Sequence, residues 1–115
     1  MSEAFRPSAR LRHRGEFTVV QSRGRRVSGR FLTLLGHPNT VGHDRLGIIA
    51  SKRVGNAIAR NRAKRRLREV FRRAGAPAAP SLDLVAVART GLTTAPFTAV
   101  AADFQAALGK LRGAR

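Results

Sequence analysis

Apolar residues recur along the 115-residue chain with two different periods. Phe97, Val100, Ala101, Phe104, Leu108 and Leu111 follow one another at the three- and four-residue steps of an amphipathic helix, and Pro96 suits its first turn. Leu11, Phe17 and Val20 make a shorter stripe closed by Gly24, which predicts a first helix over about residues 14–22. Period two appears in residues 30–36 (Arg-Phe-Leu-Thr-Leu-Leu-Gly) and in residues 45–51, where Leu46, Ile48 and Ala50 share one face. Residues 82–89 (Leu-Asp-Leu-Val-Ala-Val-Ala-Arg) are apolar on both faces, the pattern of a central strand. Between the first two strands, residues 37–44 collect Pro, Asn, Gly, His and Asp, the composition of a hairpin-like loop.

Residues 51–73 combine an apolar seam with dense charge. Gly55 lets the chain turn out of the strand, and Asn56 can cap a helix by accepting from a backbone N–H two or three residues on. Ile58, Ala63, Leu67, Val70, Phe71 and Ala74 then give one core-facing stripe, predicting a helix of roughly 17 residues. Gly75 closes it, and Pro77 and Pro80 cannot continue it. The order α-β-β-α-β-α predicts an α+β sandwich, helices packed on a small sheet. It forms one domain over residues 11–112, with a mobile basic N-terminus (1–10) and a short tail (113–115). No internal repeat or low-complexity segment interrupts it.

Charge changes the picture. The chain carries 23 Lys and Arg against 6 Asp and Glu, a net charge of +17. Ten of those cations lie within residues 51–73, beside a lone acid, Glu69. Arg60, Lys64, Arg68 and Arg72 stand four apart, a like-charge row, and four or five such pairs cost an isolated helix roughly 1–2 kcal/mol. A folded element this basic needs a polyanion beside it. The sequence offers no helix-turn-helix pair, zinc site or zipper of a DNA reader, and an Arg-rich helix on a sheet suits folded RNA.

Other chemistries find little support. There is no cysteine, which rules out disulfides and thiolate-bound zinc and fits a reducing cytoplasm. No apolar run approaches the ~20 residues of a membrane span, and the basic N-terminus lacks the apolar stretch of a secretory signal. The acids Glu3, Glu16, Asp44, Glu69, Asp83 and Asp103 are too dispersed for a metal-holding carboxylate pair. His37 and His43 flank one loop and read as loop residues rather than metal ligands. Gly47 and Gly55 lack the Gly-Lys-Ser/Thr ending of a phosphate loop. Catalysis is therefore expected of a partner. On the residues alone, a ribosomal or other structural RNA-binding protein and a nucleoid-type DNA binder both stay open.

Residues 51–68, Ser-Lys-Arg-Val-Gly-Asn-Ala-Ile-Ala-Arg-Asn-Arg-Ala-Lys-Arg-Arg-Leu-Arg, resemble the signature S-K-[KR]-x-G-x-A-x-x-R-N-x-x-K-R-x-x-R of the protein subunit of bacterial ribonuclease P. The flanks agree: Leu11, Glu16 and Phe17 before it, and the Leu-Val-Ala-Val-Ala-Arg strand after it. The likeness spans about residues 9–112.

The resemblance implies an αββαβα fold with a left-handed β-α-β crossover, against the usual right-handed rule. It also implies a partner RNA that is the ribozyme, cutting the 5′ leader from precursor tRNA with magnesium held by that RNA and no cofactor bound tightly by the protein. Carried over by position, Lys52, Arg53, Arg60, Asn61, Arg62, Lys64, Arg65 and Arg68 contact the RNA subunit, with Gly55 and Asn56 shaping the turn into the helix. Phe17 matches an aromatic of a leader-binding cleft between the first helix and the sheet. Phe31 and Arg89 fall beside it by strand placement. Gln21, and the first strand near Leu34, lack rings common in the family, so leader binding is expected to depend less on stacking.

Overall fold

The computed structural model describes residues 9–74 and 80–113. Its elements run α1 (Arg14–Arg23), β1 (Arg25–Ser28), β2 (Leu32–Pro38), β3 (Arg45–Ile49), α2 (Ala57–Arg72), β4 (Leu82–Ala88) and α3 (Phe97–Gly113). The predicted α+β architecture is present, with one strand more than the sequence pattern indicated. β1 carries a single apolar residue, Val27, between charged and hydroxyl side chains, so it shows almost no period-two signal. It is an edge strand, where charge hinders pairing with other chains.

The sheet order is β1-β2-β4-β3, which corrects the expectation of a β2–β3 hairpin. β4 lies between them, antiparallel to β2 and parallel to β3. Its two apolar faces explain why: Leu82, Leu84, Ala86 and Ala88 face one cluster while Val85 and Val87 face the other, and both rows need cover. The 38–44 connection crosses the start of β4 instead of folding back. Asn39 N–H donates to the Ser81 carbonyl at 3.0 Å, and Leu82 N–H donates to Asp44 Oδ1 at 2.9 Å. Arg112, at the end of α3, pairs with the same Asp44. β3, α2 and β4 thus make a β-α-β crossover between adjacent parallel strands.

α2 and α3 cover one face of the sheet. Leu67, Val70, Phe104, Val100 and Leu84 lie in the larger core there. α1 covers part of the other face, where Val20, Leu35, Val85 and Leu11 form a smaller core with Phe17 against it. The chain joins this layer before α1 begins: Leu11 N–H donates to the Leu46 carbonyl at 3.0 Å, and Arg10 bridges to Leu46. Gly24 ends α1 as expected, its N–H donating to the Val20 carbonyl at 2.8 Å. Residues 1–8, the Gly75 and Pro77 stop signals and residues 114–115 lie outside the described residues.

A polar cluster joins α1 to the sheet. Arg45 grips Asp83 through Nε at 2.8 Å and Nη2 at 2.7 Å, and reaches Glu16 with Nη1 at 3.2 Å. Asn39 Nδ2 donates to Asp83 at 2.7 Å. Burial pushes the Asp83 carboxyl up, but the Arg45 and Asn39 hydrogen bonds outweigh it and hold its pKa below the ordinary 3.8. Glu16 Oε1 also accepts from Arg12 N–H at 2.9 Å and His13 N–H at 3.1 Å, closing the first turn of α1.

Candidate nucleic-acid interface

The basic segment begins with a tight turn. Val54 N–H donates to the Ser51 carbonyl at 3.0 Å and Gly55 N–H to that of Lys52 at 3.1 Å. Gly55 has φ +143°, and a methyl there would lie 2.8 Å from Ala59 Cβ, so only glycine makes this corner without strain. Asn56 caps α2 as expected, Oδ1 accepting from Ala59 N–H at 2.9 Å. Lys52 and Arg53 stand exposed on the turn.

Along α2, each residue advances ~100° around the axis. Ala63, Leu67 and Val70 are buried, and Phe71 and Ala74 pack at the margin of the same core. Ile58 does not join them. It is 69% exposed, which corrects its placement in the core-facing stripe. The five-residue step from Ile58 to Ala63 carries it ~140° from that neighbour. Asn61, Arg62, Arg65 and Arg68 are exposed on the outer surface, while Arg60 and Lys64 are half-buried along its border.

Arg66, Arg72 and Arg73 have partners within the fold. Arg66 donates through Nη1 to the carbonyls of Leu92 at 2.9 Å and Ala95 at 2.6 Å, tying α2 to the β4–α3 connection. Arg72 and Arg73 both pair with Glu69, and Arg73 also lies 5.2 Å from the centre of the Phe97 ring. Hydrogen bonds from Arg72 first, then Arg73, hold Glu69 down to about 2. Glu69 therefore relieves the repulsion locally, which the charge pattern alone did not reveal. Arg62, Arg65 and Arg68 are exposed along α2, and Lys52 and Arg53 on the turn before it.

Arg53 also lines a cleft of ≈ 440 Å³ with Arg30, Ser51, Val87, Arg89 and Thr90. Arg89 is oriented by donation from Nη1 to the Gly29 carbonyl at 2.8 Å. Val87 packs in the α1-side core, as does Phe17. The Phe17 ring lies across β3, where a methyl on Gly47 would fall 2.5 Å from its Cζ. Phe17 and Val87 thus share one face of the sheet, and the cleft walls are formed without the Phe17 ring. Phe31 adjoins the cleft through its backbone, its carbonyl accepting from Arg89 N–H at 2.9 Å, but its ring packs on the α2–α3 side, with Arg30 5.4 Å from the ring centre and its own N–H donating to Asp103 at 2.9 Å. Leu34 is buried in that same core, and Gln21 is exposed on α1. Arg30 and Thr90 were missed in the sequence because they join the cleft only when the ends of β1 and β4 come together, which no local pattern marks.

The described acids all serve the fold. Glu16 and Asp83 hold Arg45, Asp44 holds Arg112, Glu69 holds Arg72 and Arg73, and Asp103 accepts from Arg30 and Phe31 N–H. Among the described residues, no three His, Cys, Asp or Glu side chains gather as a metal site, and no helix is long and apolar enough to cross a membrane.

The sequence profile of the Ribonuclease P family matches residues 5–112. The ribonuclease P protein component of Syntrophomonas wolfei is 36% identical over 102 residues, covering 89% of this chain and 86% of that protein. The one from Gluconacetobacter diazotrophicus is 40% identical over 110 residues, covering 91% and 94%. In three dimensions the RNase P protein of Staphylococcus aureus superposes with a TM-score of 0.76 at 26% identity, covering 90% of this chain and 97% of that one. With the signature on α2 and the fold in agreement, the chain belongs to the ribonuclease P protein family.

Proposed function

We propose that this chain is the protein subunit of ribonuclease P, acting in the cytoplasm on the 5′ end of precursor tRNA. The observation that carries the reading is continuity. The exposed cations of α2 run through Lys52 and Arg53 into the cleft that Arg30 and Arg89 share. One surface can therefore meet two RNA elements where they converge. Lys52, Arg53, Asn61, Arg62, Arg65 and Arg68 would engage the RNA subunit, with Arg60 and Lys64 on the border. The cleft beside Phe17 would take the single-stranded leader, its phosphates against Arg30, Arg53 and Arg89. Phe31 is a less direct participant, because its ring belongs to the opposite face.

The protein's contribution is electrostatic and positional. Its guanidinium groups screen phosphates where RNA strands crowd together, lowering the cation concentration the assembly requires. Its cleft recognises precursor over product, since only the precursor has a leader. The chemical step is assigned to the RNA subunit, and magnesium held there would supply the activation of the attacking water.

Phe17→Ala tests the cleft assignment. We expect it to reduce discrimination of precursor from mature tRNA by roughly tenfold, as loss of one stacking platform would. Affinity for the RNA subunit should change less than twofold or so. Equilibrium binding of both tRNA forms to the reconstituted complex measures this. Equal losses in leader and RNA-subunit binding would mean that Phe17 serves only packing over Gly47.

A further inference from the structure

Ile58 is the most exposed large apolar side chain among the described residues. It lies in the first turn of α2, 69% exposed, against 46% for Val41 and 40% for Val19. A helical side chain leans back over the residues three and four before it. For Ile58 these are Gly55, which has no side chain, and Val54, which packs against the core. Its neighbours at three, four and seven residues on are Asn61, Arg62 and Arg65, all exposed. The helix therefore presents one bare aliphatic group with cations and an amide on one side and an open glycine corner on the other.

We infer that Ile58 is an apolar contact for the face of an unpaired nucleotide in the RNA subunit, with Arg62 and Arg65 on the flanking phosphates. This rests on the proposed assignment of α2 to that RNA. The surrounding charge selects a polyanion and argues against an apolar protein partner. Phosphates alone gain nothing from an aliphatic group. In duplex RNA the base faces are stacked out of reach and the accessible groove displays hydroxyls and phosphates, whereas loops and bulges expose flat apolar faces. A β-branched side chain with few accessible rotamers suits such a contact, since little conformational freedom is lost on binding. The turn would thus read RNA shape as well as charge, favouring a site where one base is displaced.

Filter binding of a bacterial ribonuclease P RNA transcript, titrated across salt concentrations, separates the two kinds of contact. Ile58→Ala should weaken binding roughly five- to tenfold at every salt concentration, from the apolar area left uncovered. The slope of log affinity against log salt should stay at the wild-type value, because no phosphate contact is lost. Ile58→Leu should bind within about twofold of wild type. The free variants should melt with the wild-type protein, since position 58 touches no core. A photo-crosslinking residue at 58 should map to an unpaired nucleotide. Ile58→Ala with wild-type affinity, a changed salt slope, or a crosslink within a duplex would each overturn the inference. If the wild-type protein itself binds this RNA no better than duplex DNA at matched salt, the parent assignment falls and the inference with it.

Discussion

Replacing Arg62 and Arg65 together by alanine should weaken binding to ribonuclease P RNA by roughly 30-fold near 0.15 M salt and lower the salt slope by about 1.5. Each phosphate contact contributes ~0.7–0.9 to that slope, so two lost contacts set both numbers. Both residues are exposed, and neither has a structural contact like that of Arg66. The free protein should therefore melt at the wild-type temperature, or slightly higher as like charges are removed. Arg66→Ala is the counterpart. It abandons the Leu92 and Ala95 carbonyls, so it should lower the melting temperature while leaving the slope nearly unchanged. An unchanged slope for the Arg62, Arg65 variant would reject these residues as phosphate contacts.

Asp83→Ala should be strongly destabilising. Asp83 is 9% exposed and takes both arms of Arg45. Removing it leaves a mostly buried guanidinium with only Glu16, at a cost of about 2–4 kcal/mol, somewhat below that of a fully buried pair. In a domain of this size the melting temperature should fall by roughly 10 °C or more. The effect should depend on pH. Asp83 is held below its ordinary pKa of 3.8, so its contribution is complete above that value and disappears as pH falls through the lowered folded-state pKa. The wild-type and variant melting curves should therefore converge well below pH 4. A shift of only a degree or two at neutral pH would show that Arg45 finds water or Glu16 at little cost.

The elements that the sequence revealed are those whose patterning reports local geometry. α2 could be placed from Asn56, the turn at Gly55 and the Ala63, Leu67, Val70 seam, each of which behaves as the residue type requires. β4 declared its central position by being apolar on both faces. Features decided by distant partners were hidden. β1 pairs through its backbone and has little apolar signature, and the β2–β3 connection is ordered by contacts with Ser81 and Leu82 some forty residues later. Ile58 looked like core because it is aliphatic, although its spacing from Ala63 already breaks the seam.

The same limit applies to the interface. The signature located the basic face, but charge density could not tell that Arg66, Arg72 and Arg73 have acid or carbonyl partners within the fold. Only the folded chain brings Arg53 from one segment beside Arg30 and Arg89 from two others. Phe31 shows the converse. Strand placement put it beside Phe17, and the sheet sends the two rings to opposite faces.

Cleavage of a precursor tRNA with a 5′ leader, at low magnesium, decides whether this chain serves as the ribonuclease P subunit. Three samples are compared: a bacterial ribonuclease P RNA alone, this protein alone, and the two together. Cutting at the mature 5′ end is expected only in the mixture, with the RNA alone recovering activity as magnesium is raised. A mixture no faster than RNA alone would contradict the subunit assignment and favour a structural RNA-binding role, and cutting by the protein alone would contradict the assignment of catalysis to RNA.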